Sequence, residues 1–327
     1  MGYGGYSHDA HQALISVRTK LPDQEVFKQR DCHPLMYAKG LRLRESRDSD
    51  AHPQSLGVAF ALDVTGSMGE IPVQLARQEL PRFMRILAAC GYNDAQILFM
   101  AVGDAHCDRA PMQLGQFEST AELMDQWLTS CFLEAGGGGN GSESYELALY
   151  ALAEHTEMDC WVKRRQKGFL FMTGDELPFP AVSRKQVANV IGDTLDDDIP
   201  TEEIVAAVSE TFHPFFLIPD FDRRRDIERR WRDLLGDHVI CLERPQDACF
   251  AAASLIALTE GHVADVAELQ PLLEKAGPPI DRVGAILRAV TPYAATLGRA
   301  GAPEPALASA AIPAGDGKSL WKRFFQK

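Results

Sequence analysis

The sequence predicts an α/β fold: a doubly wound, mostly parallel sheet with helices on both faces, followed by C-terminal helices. Two observations lead to this prediction. Strongly apolar runs recur between residues 57 and 243, and stretches with helical periodicity separate them. Because runs without a polar face are typical of strands buried on both sides, this alternation indicates βαβ units and a parallel sheet.

Five apolar runs are predicted to be the strands of this sheet. Each has the length of a buried strand, and turn or helix signals separate it from the next. In chain order they are GVAFAL (57–62), QILFMAV (96–102), GFLFMT (168–173), PFFLIP (214–219) and HVICLE (238–243).

The helices between these strands are recognised by their end signals. The helix after the first strand has Pro72 in its first turn and Gly91 at its end, and Pro81 inside it predicts a kink or two shorter helices. In SESYELALYALAEHT, Ser142 is the candidate N-cap. Another helix is predicted over RRRDIERRWRDLLG (223–236), whose apolar residues share one face.

The composition shifts along the chain predict four parts. Residues 1–55 form an N-terminal arm, 56–245 the α/β domain, and 246–299 a C-terminal helical extension packed on that domain. Residues 300–327 form a flexible Ala/Pro/Gly-rich linker and an aromatic, basic tail, SLWKRFFQK. This tail is predicted to be a docking peptide, to fold back on the domain, or to be disordered.

Composition excludes several classes of function. The chain has 327 residues, 46% of them hydrophobic, which is enough for a large core. A net charge of −13 argues against nucleic-acid binding, and no apolar run approaches the roughly 20 residues of a membrane span. Seven cysteines, without a CxxC pair, fit neither a disulfide framework nor a structural zinc site, so we expect a cytoplasmic protein.

Short polar residues are concentrated in three loops. Two of these loops follow predicted strands, and the other leads into a predicted helix. The carboxyl ends of parallel strands meet at one edge of the sheet, so these side chains are expected to converge. Hydroxyl and carboxylate oxygens suit Mg²⁺ or Mn²⁺ better than zinc. The first loop contributes Asp63, Thr65 and Ser67, the second Asn140, Ser142, Glu143 and Ser144, and the third Asp175 and Glu176.

The loop GDAHCD, after the second strand, is a further polar element at the same edge. Asp104 could belong to a second metal position or to the rim of the first. The favoured interpretation is a polar loop in which Asp104 hydrogen-bonds backbone or water. Cys107 has only the adjacent His106 beside it, so a nucleophilic role has little support.

At these residues the sequence resembles the von Willebrand factor A domain and its metal-ion-dependent adhesion site. The family motif is Asp-x-Ser-x-Ser, with a threonine from a later loop and an aspartate from another strand end. The resemblance covers residues 56–245 and assigns Asp63, Thr65 and Ser67 to the first element and Asp175 to the distant aspartate. The segments RESRDSDAHP, GDAHCDRAPMQLGQFE and GGGGNGSESYELALY also look like an uncharacterised bacterial and phage group of such domains.

The sequence departs from the family motif in three places. Thr65 replaces a serine, which keeps the hydroxyl. Glu143 stands where the family has its threonine, so Asn140, Ser142 and Glu143 all remain candidate ligands from the glycine-rich loop. Asp175 follows Thr-Gly instead of standing directly after the threonine.

The resemblance implies a non-enzymatic protein-interaction module. In the family, the cation bridges to an Asp or Glu of a protein partner, and intracellular bacterial members work beside an AAA+ ATPase, which suggests that class of partner. The alternative is a metal-dependent hydrolase or a nucleotide-binding enzyme that uses the same strand ends. The run GGGGNG could cradle a phosphate, but it lacks the lysine of a P-loop, and no catalytic nucleophile or general base can be identified.

Overall fold

The computed structural model describes residues 4–65, 68, 70–134, 141–219 and 224–298. The linker and the tail therefore lie outside the described residues. The α-helices are α1 (His8–Arg18), α2 (Asp23–Val26), α3 (Glu70–Gln74), α4 (Leu80–Ala89), α5 (Ala121–Thr129), α6 (Tyr145–Glu154), α7 (Asp159–Arg164), α8 (Arg184–Gln186), α9 (Thr201–Thr211), α10 (Arg224–Leu235), α11 (Ala248–Thr259), α12 (Val266–Ala276) and α13 (Ile280–Leu297). The strands are β1 (Arg44–Ser46), β2 (Leu56–Asp63), β3 (Ala95–Val102), β4 (Met112–Leu114), β5 (Ser142–Glu143), β6 (Thr156–Met158), β7 (Gly168–Thr173), β8 (Leu177–Pro178), β9 (Ala181–Val182), β10 (Ile199–Pro200), β11 (Phe212–Ile218) and β12 (Val239–Cys241).

Six strands form the central sheet in the order β12–β11–β7–β2–β3–β4. Every neighbouring pair is parallel except β3 and β4. The chain passes from β2 to β3 on one side and later returns to β7 on the other side, so the winding direction reverses between β2 and β7. This order confirms the predicted doubly wound, mostly parallel α/β fold, and all five predicted strands belong to the sheet.

The middle of the sheet is apolar on both faces. All residues of β2, β3 and β7 are buried. Phe60 of β2 lies opposite Phe99 of β3 and Phe171 of β7, and its ring centroid is 5.8 and 5.5 Å from theirs. Stacked and tilted aromatic pairs at these separations contribute beyond their buried area. Aromatic contacts to both neighbouring strands, β3 and β7, therefore fix the position of β2.

The helix after β2 is interrupted as its proline predicts. The α-helical segments α3 and α4 are separated by a five-residue π-helical stretch, Leu75–Glu79, and Pro81 lies in the first turn of α4. Gly91 follows the helix with φ +87°, the left-handed conformation that glycine adopts without strain.

Two parts of the fold were not foreseen in the sequence. The edge strand β4 has only three residues and runs antiparallel to β3. Ser142 is also not the N-cap of the next helix, which was a wrong prediction. Ser142 pairs with Leu177 in the short β5–β8 ladder, and α6 begins three residues later, with Ser144 at its N-cap.

The C-terminal helices share the core of the sheet. Helix α11 packs against α4, and α12 and α13 pack against α11. Arg282 of α13 hydrogen-bonds Asp247 at 2.7 Å and lies 3.6 Å from the carboxylate of Glu79. Within the described part of the chain, no helix combines the length and apolar character needed to cross a membrane.

Candidate functional site

The predicted site lies where the winding of the sheet reverses. Asp63 is the last residue of β2, and Asp175 follows the end of the adjacent β7 after one intervening glycine. Open α/β sheets bind ligands at this position because the loops on either side diverge and leave a crevice. Asp63 and Asp175 are buried there.

Asp63 is held by neighbouring hydrogen bonds. Its Oδ1 accepts from the backbone N–H of Thr65 at 2.9 Å and from the Thr65 hydroxyl at 2.6 Å. Its Oδ2 accepts from the hydroxyl of Tyr145 at 2.6 Å. Burial raises the pKa of Asp63 to about 6, although these hydrogen bonds counteract the rise, and the charge of Asp175 adds to it.

Tyr145 was not among the predicted site residues, although its hydroxyl contacts Asp63. It is the first residue of α6 and is fully buried, with its ring edge against Trp231. A Cβ at Gly174 would lie 1.9 Å from the Tyr145 hydroxyl. The glycine inserted between Thr173 and Asp175 therefore makes the space that Tyr145 occupies. A tyrosine on an otherwise apolar helix is the signal that could have identified it, because a buried phenol requires a polar partner.

Glu143 lies next to Asp63 and Thr65. Burial is the largest cause that raises its pKa, to about 9, and the charges of Asp63, Asp108 and Asp104 add to it. Its Oε2 is buried and has no hydrogen-bond partner among the described residues. Burying an ionised carboxylate with such an oxygen lowers the stability of the fold, unless the carboxylate keeps its proton or binds a cation.

The hydroxyl of Thr65 links the two acids. It donates to Asp63, and its interaction with Glu143 lowers the pKa of that carboxyl, against the rise caused by burial. Burial and the neighbouring carboxylates favour the protonated form of Glu143, and this proton would have to leave if Glu143 coordinated a cation.

The loop after β3 forms its own hydrogen-bond network. Asp104 is fully buried and accepts from the backbone N–H of His106 at 2.8 Å and from the thiol of Cys107 at 3.3 Å. The loop is joined to the start of α6 by Ser144, whose hydroxyl accepts from the N–H of Ala105 at 2.9 Å. Although Cys107 is exposed, partial desolvation of its thiol and the neighbouring Asp104 and Asp108 raise its pKa to about 12, which makes it a poor nucleophile.

A second buried acid next to the site was also missed. Glu146, in the first turn of α6, is fully buried, and burial raises its pKa to about 8. Its Oε2 accepts from the backbone N–H of Phe179 at 3.2 Å, whereas its Oε1 has no partner among the described residues. Glu146 stands among the apolar residues of α6, and nothing in this local pattern predicts that its side chain is buried.

The predicted residues are thus brought together in part. Asp63 interacts with Thr65, Glu143 and Asp175, and the charge of Asp104 reaches Glu143. Ser142 is half-buried in β5 beside Glu143. Ser67 and Asn140 lie outside the described residues.

The oxygen atoms at this site are of the kind that a hard divalent cation binds. Asp63, Glu143 and Asp175 supply carboxylates and Thr65 a hydroxyl, and the solitary Oε2 of Glu143 is an oxygen that a cation would satisfy. Within residues 4–134 and 141–298, as far as described, no three His, Cys, Asp or Glu side chains converge on one point. A cation at this site would therefore depend on hydroxyl oxygens and water as well as on carboxylates.

Neither a family model nor a curated protein matches the chain. Among solved structures, the pilus adhesin SpaC from Lactobacillus rhamnosus GG, in its open conformation, is similar with 10% identity and a TM-score of 0.42, over 69% of this chain and 31% of that one. Proximal thread matrix protein 1 from the mussel byssus shares 9% identity, with a TM-score of 0.40, over 68% of this chain and 51% of that one.

The third similar structure is von Willebrand factor type A from Catenulispora acidiphila, with 11% identity and a TM-score of 0.38, over 64% of this chain and 43% of that one. This chain thus spans between 31% and 51% of the length of these three proteins. At such identities the similarity concerns the arrangement of strands and helices alone. The assignment of this chain to the doubly wound α/β class rests on its own strand order.

Proposed function

We propose that this chain is a protein-interaction module in which a divalent cation, Mg²⁺ or Mn²⁺, bridges to an Asp or Glu of a partner protein. Asp63, Thr65, Ser67, Glu143 and Asp175 would hold the cation. The observation that carries the proposal is the buried acidic cluster at the reversal point, where an oxygen of Glu143 has no partner among the described residues. A cation bound there would supply an electrophilic position for an incoming carboxylate.

The residues around the site support this use. Thr65 is a neutral oxygen donor, and its hydroxyl is oriented by Asp63. Tyr145 fixes the other oxygen of Asp63, so the carboxylate keeps one orientation. A pre-oriented set of oxygens of this kind lowers the cost of ordering the site when the cation binds. The resemblance to von Willebrand factor A domains suggests an AAA+ ATPase as the class of partner.

Calorimetric titration with Mg²⁺ and with Mn²⁺ tests the cation. We expect binding to the unaltered chain and no binding to Asp63→Asn. Asp193→Asn is the matched control, because Asp193 also accepts a tyrosine hydroxyl, that of Tyr150 at 2.9 Å, but lies outside the predicted ligand set. Equal binding by the unaltered chain and Asp63→Asn would contradict the site.

The hydrolase alternative is tested with the same variants. Turnover of a phosphate ester that requires Mg²⁺ and is lost in Asp63→Asn would replace the interaction module with an enzyme. An interaction module is expected to bind a carboxylate-bearing partner only with the cation present, so EDTA should release the partner and added Mg²⁺ should restore it.

A further inference from the structure

A groove between α1 and α5 lies apart from the candidate metal site. It encloses about 750 Å³ and is lined by one side of α1, by the polar side of α5 and by the α2 segment. The α1 wall is apolar, with Ala13, Leu14 and Val17, and Leu21 continues it beyond the end of the helix. Val17, in the last turn of α1, is 67% exposed and adds accessible apolar surface to this wall. This volume is in the range of pockets that take several side chains.

Along the groove, two glutamates outnumber the one cation that is not paired with Asp125. Glu25 and Glu122 line it and are exposed. Arg18 also lines it, but it is already paired with Asp125 through both of its terminal nitrogens. Lys28 is the other cation of the lining. A ligand with apolar side chains and accompanying cations would therefore match both the wall and the rim.

We propose that the chain's own segment 318–327 docks in this groove. The segment SLWKRFFQK, preceded by Lys318, carries four cations and no acidic residue. In a helical conformation, Leu320, Trp321, Phe324 and Phe325 would occupy one face and the cations the other. An apolar helix face laid into a hydrophobic groove is a recurrent mode of peptide recognition.

The tail can reach the groove from the end of α13. Helix α4 contacts α1 and α12, and α12 contacts α13. At the roughly 8–10 Å spacing of packed helices, three such steps amount to about 30 Å. The length of α13 is about 27 Å. The intervening residues 299–318 span up to roughly 70 Å when extended, which is more than these two lengths together.

Limited digestion of the full chain by trypsin tests the docking. Cleavage after Lys318, Lys322 and Arg323 is followed by mass spectrometry. In Val17→Asp, whose side chain is already exposed, we expect cleavage at these sites to become about ten-fold faster, because a charge on the apolar wall weakens docking by roughly this factor. Val162→Asp is the matched control, since Val162 is 50% exposed on α7, away from the groove. Equal rates in all three proteins would overturn the proposal.

A change in the tail itself gives a second, independent measurement. In Phe324→Ser/Phe325→Ser, amide hydrogen exchange should increase across residues 10–21 and 122–130 and stay unchanged in α7. No increase in these segments would overturn the proposal. The digestion is repeated over a roughly hundred-fold dilution, because docking within one chain is independent of concentration. Protection that is lost on dilution would overturn it in favour of a tail exchanged between two copies.

Discussion

The hydroxyl of Tyr145 donates a 2.6 Å hydrogen bond to Asp63 and fills the space in which a side chain at position 174 would otherwise lie. A single buried phenol thus couples the end of β2, the start of α6 and the turn after β7. The predicted metal ligands lie in these segments or, for Glu143, in β5 directly before α6.

Replacing Tyr145 with phenylalanine should weaken cation binding without unfolding the chain. The loss of the hydrogen bond would raise the pKa of Asp63 further, because that bond favours the charged carboxylate. We expect a loss of about 1 kcal/mol in the free energy of unfolding. Thermal denaturation and calorimetry with Mn²⁺ measure the two effects. Tyr150→Phe removes a similar bond to Asp193 and should leave Mn²⁺ affinity unchanged.

Gly174→Ala should destabilise the fold. The new Cβ would lie 1.9 Å from the hydroxyl and 2.6 Å from Cζ of Tyr145, so the ring must move. Overpacking of this kind costs about 1–3 kcal/mol. Because Cζ remains, Tyr145→Phe should not rescue the variant. Gly298→Ala, with no heavy atom within 4 Å of the added Cβ and a φ of −72°, should be close to neutral in urea denaturation.

The free energy of unfolding of the metal-free chain should fall as the pH rises from about 4.5 to about 8. Folded Glu146 has a pKa raised to about 8 by burial, so it keeps its proton where the unfolded chain has lost it. The stability that protonated Glu146 provides is fully present below the pKa of Glu146 in the unfolded chain. It is lost as the pH rises through the pKa of Glu146 in the folded chain. The contribution is on the order of 5 kcal/mol, since each pKa unit corresponds to about 1.4 kcal/mol.

Urea denaturation in EDTA at several pH values measures this dependence. Glu146→Gln should reduce the slope, whereas Glu122→Gln, at an exposed position on α5, should not. A slope that is the same in Glu146→Gln and in the unaltered chain would show that Glu146 ionises in the folded state at its ordinary pKa.

Arg282→Ala should be among the more destabilising changes on α13. Its guanidinium is mostly buried and pairs with Asp247 and Glu79; without it the buried Asp247 would lose this ion pair, whereas Glu79 would keep its ion pair with Arg82. Removing one partner of a buried ion pair costs about 3–5 kcal/mol. Arg288→Ala is the matched control on the same helix. Arg288 pairs with Glu243 but is 66% exposed, so the expected cost in urea denaturation is below about 1 kcal/mol.

The sequence predicted the parts of the site that depend on strand ends. Asp63 and Asp175 could be placed together because buried parallel strands end at one edge of the sheet, and the apolar runs before them are unambiguous. Tyr145 could not, because its role depends on where α6 begins. The helix begins later than predicted because Ser142 and Glu143 form a short strand that pairs with Leu177 and Pro178. These two segments are far apart in the chain, and neither has a sequence pattern that predicts a strand.

The edge strand and the buried acid of α6 were missed for similar reasons. The three residues of β4 are too few to show periodicity, and their antiparallel pairing with β3 is a tertiary contact. Glu146 is buried because Phe179 and its loop cover it, so neither helix propensity nor spacing could reveal its surroundings.

Helix α11 determines how short a recombinant fragment containing the site can be. From Ala248 to Leu258 every residue is buried, so this helix has sheet or helix neighbours on all sides. A recombinant fragment that stopped after β12 would leave the apolar surface of α4 facing water and would be prone to aggregate. The shortest fragment suited to metal titration or crystallisation therefore extends through α13, to Gly298.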